Sequence, residues 1–565
     1  MLCSMHLHAQ NLELVGKSNP FKISGGVSSN QVYFLTTDSN SNRQPFSTVF
    51  TGNVNFSIYE WSIPLSFTWS NQNYQFQQPF NRYSMHPKYK WVTAHIGYTS
   101  MSFSPYSLNG QLFTGVGVDL TPPGKFSCSA MFGRMQKAIE YDSVRPANTS
   151  YSRIGYGLKT QYKLPELEMF TGDVGFIFFY ARDNRYSISE TPDLMYIYDS
   201  LNIAPRENMV LSTSGNFSIM KNIRLNVEYA QSALTRNLRD TALSFTTMPV
   251  FSGLGFHSNA TTGVFNAFKT NVGYSFLEYT IGVGYERIDP EYSTLGAYYF
   301  TNDFENITLN ASGRFIENKL SAACSVGKQR DNLDNKKSSQ MDRWVNSLSL
   351  SFAPNSKFTM GANYSTFQSY TNVQTKIMQN YQQLKPFAPV DTFNYVQLSQ
   401  SAGANATYSL VSNESRRKSI MLNFNWQTSS QRQSSQNIPG AVFYNVNAIY
   451  TYGIVPMQLN VSVSVNSILN YMPGANSKII GPALSVSKML LNKTLRTSVS
   501  VSTNNNYVNS ELNSRISTLR SNNSYVIKKK HNLNLSLALL NRNYFKTNKQ
   551  NITDFTATLG YSYGF

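Results

Sequence analysis

The chain has 565 residues, of which 14% are charged and 14% aromatic, and its formal net charge is +18. So low a charged fraction, against roughly 25% in soluble domains, argues against the string of soluble domains that this length could otherwise hold. No apolar run reaches the roughly 18 residues of a membrane-crossing helix. The basic residues are scattered over turn-like segments such as Ser415–Lys418 and Lys528–His531. They are not striped beside aromatics, which excludes nucleic acid as a partner. Anionic lipid phosphates suffice for dispersed basic turns.

The opening MLCSMHLHAQ closes on Ala9-Gln10, like the end of a cleavage site, but has neither a basic start nor a full apolar stretch. Residues 1–9 are read as the remnant of a signal peptide, 10–20 as a short periplasmic lead-in, and 21–565 as one domain. No Pro/Gly/Ser run or charge block divides that domain.

Alternation then governs the chain. Trp61, Ile63, Leu65, Phe67 and Trp69 alternate with Ser62, Pro64, Ser66 and Thr68. Ile223, Leu225, Val227 and Tyr229 interleave with Arg224, Asn226 and Glu228. Further on, Leu459, Val461, Val463 and Val465 alternate with Asn460, Ser462, Ser464 and Asn466. Leu495, Val499 and Val501 do so with Arg496, Ser500 and Ser502, and Leu533, Leu535, Leu537 and Leu539 with Asn532, Asn534, Ser536 and Ala538. Successive side chains of a strand point to opposite faces, so each run has one greasy and one polar face. The mean hydropathy of −0.32 follows, because polar positions facing an enclosed interior balance the lipid-facing half. Pro64 cannot donate to a ladder and is expected to mark a bulge.

Short connections (Tyr59-Glu60, Met85–Lys88, Thr121–Gly124, Leu164–Leu167, Met220–Asn222, Phe276–Glu278, Ile316–Asn318, Pro354–Lys357, Ser412–Lys418, Gly453–Pro456, Asn492-Lys493 and Lys528–His531) alternate with longer ones at 188–206, 237–262, 293–303, 331–340, 371–397 and 433–441. The fold class predicted is all-β. It is a single transmembrane, antiparallel, up-and-down β-barrel of about 26 strands, within a range of 22 to 26, with short periplasmic turns and longer extracellular loops. Alternation begins so early that no N-terminal plug domain is expected.

The closing segment reads NITDFTATLGYSYGF. Phe555, Ala557, Leu559, Tyr561, Tyr563 and Phe565 share one face; Asp554, Thr556, Thr558, Gly560, Ser562 and Gly564 share the other. A strand ending on such an aromatic resembles the closing strand of bacterial outer-membrane β-barrels. The resemblance assigns Tyr561, Tyr563 and Phe565 to the signal read by the barrel-assembly machinery. The Tyr-, Asn- and Ser-rich texture, the Ala9-Gln10 end and strings such as FNRYSMHPKYKW and DTFNYVQLSQS are similar to large outer-membrane barrels of Bacteroidota. The similarity spans most of the chain and carries no diagnostic functional motif. It implies an outer-membrane setting among lipids and lipopolysaccharide, and assembly with secretion, gliding or adhesin machinery or with very large surface proteins.

Enzymatic chemistry is not expected. His86, His95, His257 and His531 lie in different hairpins and in no motif. Asp331–Lys336 echoes a calcium loop without its glycine or its terminal glutamate. Cys128 and Cys324 are in phase with lipid-facing neighbours, as small apolar fillers. No cofactor and no metal are expected. Two long loops are too apolar to wave freely in water: 237–262, with Phe251, Leu254 and Phe256, and 371–397, with Tyr381, Phe387, Phe393 and Tyr395. They are expected to pack on each other over the barrel mouth, or to contact a partner protein.

Barrel diameter grows with strand number. A lumen this wide is open, flattened, filled by its own loops or occupied by another chain. The leading expectation is a protein that anchors, exports or complexes with a polypeptide occupying the lumen. Arg224, Glu228, Glu286, Arg314, Arg496 and Asp554 would line that wall. A loop-gated channel for large or lipidic solutes is the alternative, and a non-membrane structural protein or adhesin a third.

Overall fold

β-Branched and aromatic side chains at every second position suit a pleated, half-buried backbone, and the chain forms little else. The computed structural model describes residues 21–565 except 40, 42, 72–81, 144–148, 242–248, 337–341, 371–395, 434, 435, 439 and 547–549. Its strands join into one closed antiparallel barrel of 26 staves. Two staves are made of two pieces: Arg82–Met85 resumes as Lys88–Tyr89, and Gln436–Ile438 leads into Val442–Ile454. Each strand pairs with its neighbour in sequence.

The barrel closes where Phe21–Thr36 meets Ile552–Gly564, from Gly26 opposite Gly564 to Thr36 opposite Asp554. Gly25 and Phe565 exchange two backbone hydrogen bonds of 3.0 Å at the seam. Closure leaves no unpaired edge. The first and last strands both reach the end of the barrel that carries the short turns. Tyr59 and Leu277 there take φ of 51°, the left-handed backbone that tight hairpins need to follow strand twist.

Two expectations are corrected near residue 64. Pro64 causes no bulge and sits in unbroken register opposite Asn55. The irregularity lies on the neighbouring strand, where His86-Pro87 interrupts the ladder beside it and the His86 N–H donates to the Pro64 carbonyl. For the same reason Met85–Lys88 is a break within a stave and not its turn. The turn follows at Lys90-Trp91.

Alternation sorts the two faces. Val116, Phe132, Val283, Ile307, Leu309, Val463, Val501 and Leu559 stay exposed on the outer face. Such a continuous apolar surface requires an apolar surround. Inward positions are mostly Ser, Thr and Asn, with one exception. On the staves between Val92 and Phe315, inward residues toward the long-loop end are themselves apolar and buried. Met101, Phe113, Met131, Met135, Ile177, Phe179, Val210, Leu234, Ile288 and Phe304 form one core there.

Candidate functional site

That inner core exists because two loops fold into the barrel onto it. The connection 103–108 brings Tyr106 and Leu108, and the connection 289–303 brings Tyr292 and Leu295. Tyr106 and Tyr292 are 1% and 0% exposed. Burying each such side chain contributes roughly 2 kcal/mol, so the loops are pinned and not hanging. Polar contacts fix their position. The Tyr292 hydroxyl donates to the Tyr106 carbonyl (2.8 Å), and the Thr294 hydroxyl to the Ser107 carbonyl (2.8 Å). The Leu295 N–H donates to Asn208 Oδ1 (3.0 Å), and the Ser232 hydroxyl to the Ser293 carbonyl (2.7 Å).

Below the loops lies a charged row. Register places Glu228 opposite Lys269, and Lys269 opposite Glu286. The Tyr106 hydroxyl donates to Glu286 Oε1 (2.5 Å), Lys269 Nζ lies 3.7 Å from Glu286, and the Ser212 hydroxyl donates to Glu228 (3.0 Å). Burial, with Glu286 alongside, raises the Tyr106 phenol above its usual range; burial, with Glu228 nearby, does the same for Tyr292. Both therefore stay neutral donors at any physiological pH.

The remaining lumen candidates are spread out. Arg224 borders a concavity of about 600 Å³ with Asn226, Asn271, Asn310 and Ser347. Arg314 borders a smaller one of about 280 Å³ with Glu278 and Ser321. Arg496 pairs in register with Ser524, and Asp554 with Leu540, both far from the charged row. On that far half charge is sparse, with Arg496, Arg520 and Asp554 scattered among amides and hydroxyls. Asn405, Asn423, Asn447 and Asn466 stand in register on four neighbouring strands, and Asn425 stands opposite Asn445.

The described part of the apolar loop 237–262 does not cover the mouth as expected. Its short helix Pro249–Gly253 and the residues after it lie on the outer face of the wall, where Phe251 and Phe256 (3% and 5% exposed) pack on Tyr180, Met209 and Ala233. Those three share the outward register, so the greasy loop finds greasy wall outside, while the apolar inner wall is already covered by loops 103–108 and 289–303. Leu254 remains 49% exposed. Tyr381, Phe387, Phe393 and Tyr395 lie outside the described residues. Helix Pro192–Ser200 packs its Tyr198 on Tyr151 and Tyr141 of the neighbouring loop, and Arg239 ties it down through Asp199 (2.8 Å).

At the seam, Tyr561 and His531 Nδ1 lie 2.7 Å apart, and Tyr563 packs between the His531 and Phe565 rings. Cys128 and Cys324 are both free thiols. The aspartates near the calcium-like stretch serve the backbone: the Asp303 carboxylate accepts from the N–H groups of Asn332 and Leu333.

One cluster escaped the sequence reading. His86 and His95 are brought together, Nδ1 to Nδ1 at 2.9 Å, and His95 Nε2 lies 2.7 Å from Asp119 Oδ2. The two share one hairpin after all: the register runs on across the break, with Met85 opposite Ile96 and Lys88 opposite Thr93, and so sets His86 opposite His95, a pairing hidden when the turn is placed at Met85–Lys88 instead of Lys90-Trp91.

No protein-family profile and no curated protein matches the chain. Among solved structures it is similar to the P pilus usher (PapC) translocation pore, at 9% identity and a TM-score of 0.41, over 96% of this chain and 99% of that one. The FrpB iron transporter from Neisseria meningitidis gives 9% and 0.37, over 96% and 82%. OccAB2 from Acinetobacter baumannii gives 8% and 0.28, over 70% and 97%. At such scores the likeness carries no argument. The closed barrel rests on its own strand pairing.

Proposed function

We propose that this chain is an outer-membrane barrel whose lumen holds or passes a polypeptide. The apolar outer face supports the membrane setting, since side chains such as Val283, Leu309 and Val463 would be costly to leave in water. Twenty-six tilted strands about 4.8 Å apart enclose a circle roughly 50 Å across. The observation that carries the reading is the bare half of that wall. Its ranks of Asn, Ser and Thr offer donors and acceptors to any peptide backbone, with no dense charge to arrest it. Tyr561, Tyr563 and Phe565 serve as the assembly signal in this reading. Leu254, with Val250 beside it on the rim, is the surface left for a partner.

The experiment is gentle extraction from native membranes without overexpression, followed by identification of co-purifying chains. A stoichiometric second polypeptide is the expected result. A chain that comes alone and conducts steadily in planar bilayers would overturn the proposal in favour of a diffusion channel. The pinned loops 103–108 and 289–303 favour that second reading, because they narrow one side of the lumen in the manner of a gate.

A further inference from the structure

We propose that His86 and His95 form a lumen-facing site for a divalent transition-metal ion of the copper(II) type, near the short-turn end of the barrel. His86 sits at the break between Arg82–Met85 and Lys88–Tyr89, and His95 on Val92–Ser102. Their Nδ1 atoms face each other at 2.9 Å, with the ring centroids 5.0 Å apart. Asp119 Oδ2 lies 2.7 Å from the other nitrogen of His95 and accepts a further hydrogen bond from Ser129. A carboxylate on Nε2 holds the ring proton there, so His95 Nδ1 carries a lone pair. The same carboxylate–imidazole arrangement orients ligating histidines in metal sites.

Without metal, the His86 Nδ1–H donates to that lone pair. With metal, neutral His86 carries its one ring proton on Nε2, and both Nδ1 lone pairs bind one ion without loss of a proton to solvent. Two cis nitrogens at about 2.05 Å from an ion at a right angle stand roughly 2.9 Å apart, whereas a tetrahedral ion would spread them to roughly 3.35 Å. The 2.9 Å spacing of the metal-free pair is that of its hydrogen bond, so a square ion of the copper(II) or nickel(II) type asks for less spreading of the two nitrogens than a tetrahedral one, and copper binds nitrogen sites the more tightly. Among the described residues no three or more His, Cys, Asp or Glu side chains gather around one point. The site is therefore a pair, whose remaining positions are left to lumen water or to a group on a passing chain. Both histidines are half-buried. The nearest inward cation in register is Lys159, one stave beyond Ser129, and its ammonium is engaged by the Phe103 carbonyl (3.0 Å).

The test is copper(II) titration of the detergent-purified full chain, without a polyhistidine tag, followed by electron paramagnetic resonance and calorimetry. The wild type is expected to bind one ion at this site with hyperfine coupling to two imidazole nitrogens. His86→Gln and His95→Gln are each expected to weaken binding at least tenfold and to lose the two-nitrogen pattern. Asp119→Asn is expected to weaken it by roughly ten- to hundredfold while keeping that pattern. Unchanged coupling in either histidine variant would overturn the proposal. So would a wild-type spectrum with one nitrogen or none, which needs no variant to fold.

Discussion

Gly296 shows how tightly the inner loops are seated. A Cβ there would stand 2.5 Å from the Ser107 carbonyl oxygen and 2.9 Å from both Leu108 Cα and Phe179 Cζ. The first two are backbone that cannot yield without moving loop 103–108. Gly296→Val is therefore expected to cost about 1–3 kcal/mol of loop docking, read as faster thiol labelling of a cysteine placed at Leu295; labelling no faster than in the parent would refute the packing. The tyrosines add a pH dependence. A detached loop has phenols near pH 10, while docking raises those of Tyr106 and Tyr292. Docking energy is thus fully present below about pH 10 and falls as pH rises beyond it toward the raised values. Labelling at residue 295 should accelerate above pH 10, and less steeply in Tyr292→Phe, which removes one of the two titrations. A flat profile would count against the buried phenols. None of these roles was legible in the sequence, because Tyr106 and Tyr292 are far apart along the chain and sit in unremarkable polar loops. Glu228 and Glu286 could be placed by parity on one face, but not their common neighbour Lys269.

At the scale of elements, period-two alternation was enough to find most staves, since facing in a closed sheet follows from register alone. It failed where both faces are apolar. Phe176–Ala181 reads FIFFYA, with Phe178 and Tyr180 outward and Ile177 and Phe179 under the inner loops. A run greasy on both faces marks a strand covered on both sides, and that signal could have located the lumen core beforehand. The loops misled for a related reason: apolar content shows that a loop must be covered but not by which wall. Facing is directly testable. Val463 points outward and Ser464 inward: on strand Ala475–Leu490, Val463 meets Leu484 and Ser464 meets Ala483. Val463→Arg is expected to destabilise the folded barrel by about 2–4 kcal/mol if it lies mid-bilayer, measured by urea unfolding in lipid vesicles. Ser464→Arg, in the lumen, should cost under about 1 kcal/mol. Equal losses would contradict the assigned faces.

For the whole molecule, the consequence of closure is a two-sided lumen. One side is built up by loops 103–108 and 289–303 over an apolar core, and the other is a wall mainly of amides and hydroxyls with sparse charge. The division explains why the staves between Val92 and Phe315 hold nearly all of the fully buried side chains, while Asn405, Asn423, Asn447 and Asn466 face open space. Strand number and a wide bore were legible from the sequence because they depend only on counting alternations. The uneven filling was not, since it depends on which loops turn inward. A photo-crosslinking residue at Asn447, compared with one at Tyr450 on the outer face, tests the central claim most directly when both are irradiated in the cells that make the protein. A discrete protein adduct of higher mass is expected from position 447 and none from 450. No protein adduct at 447, or the same adduct at both, would contradict it.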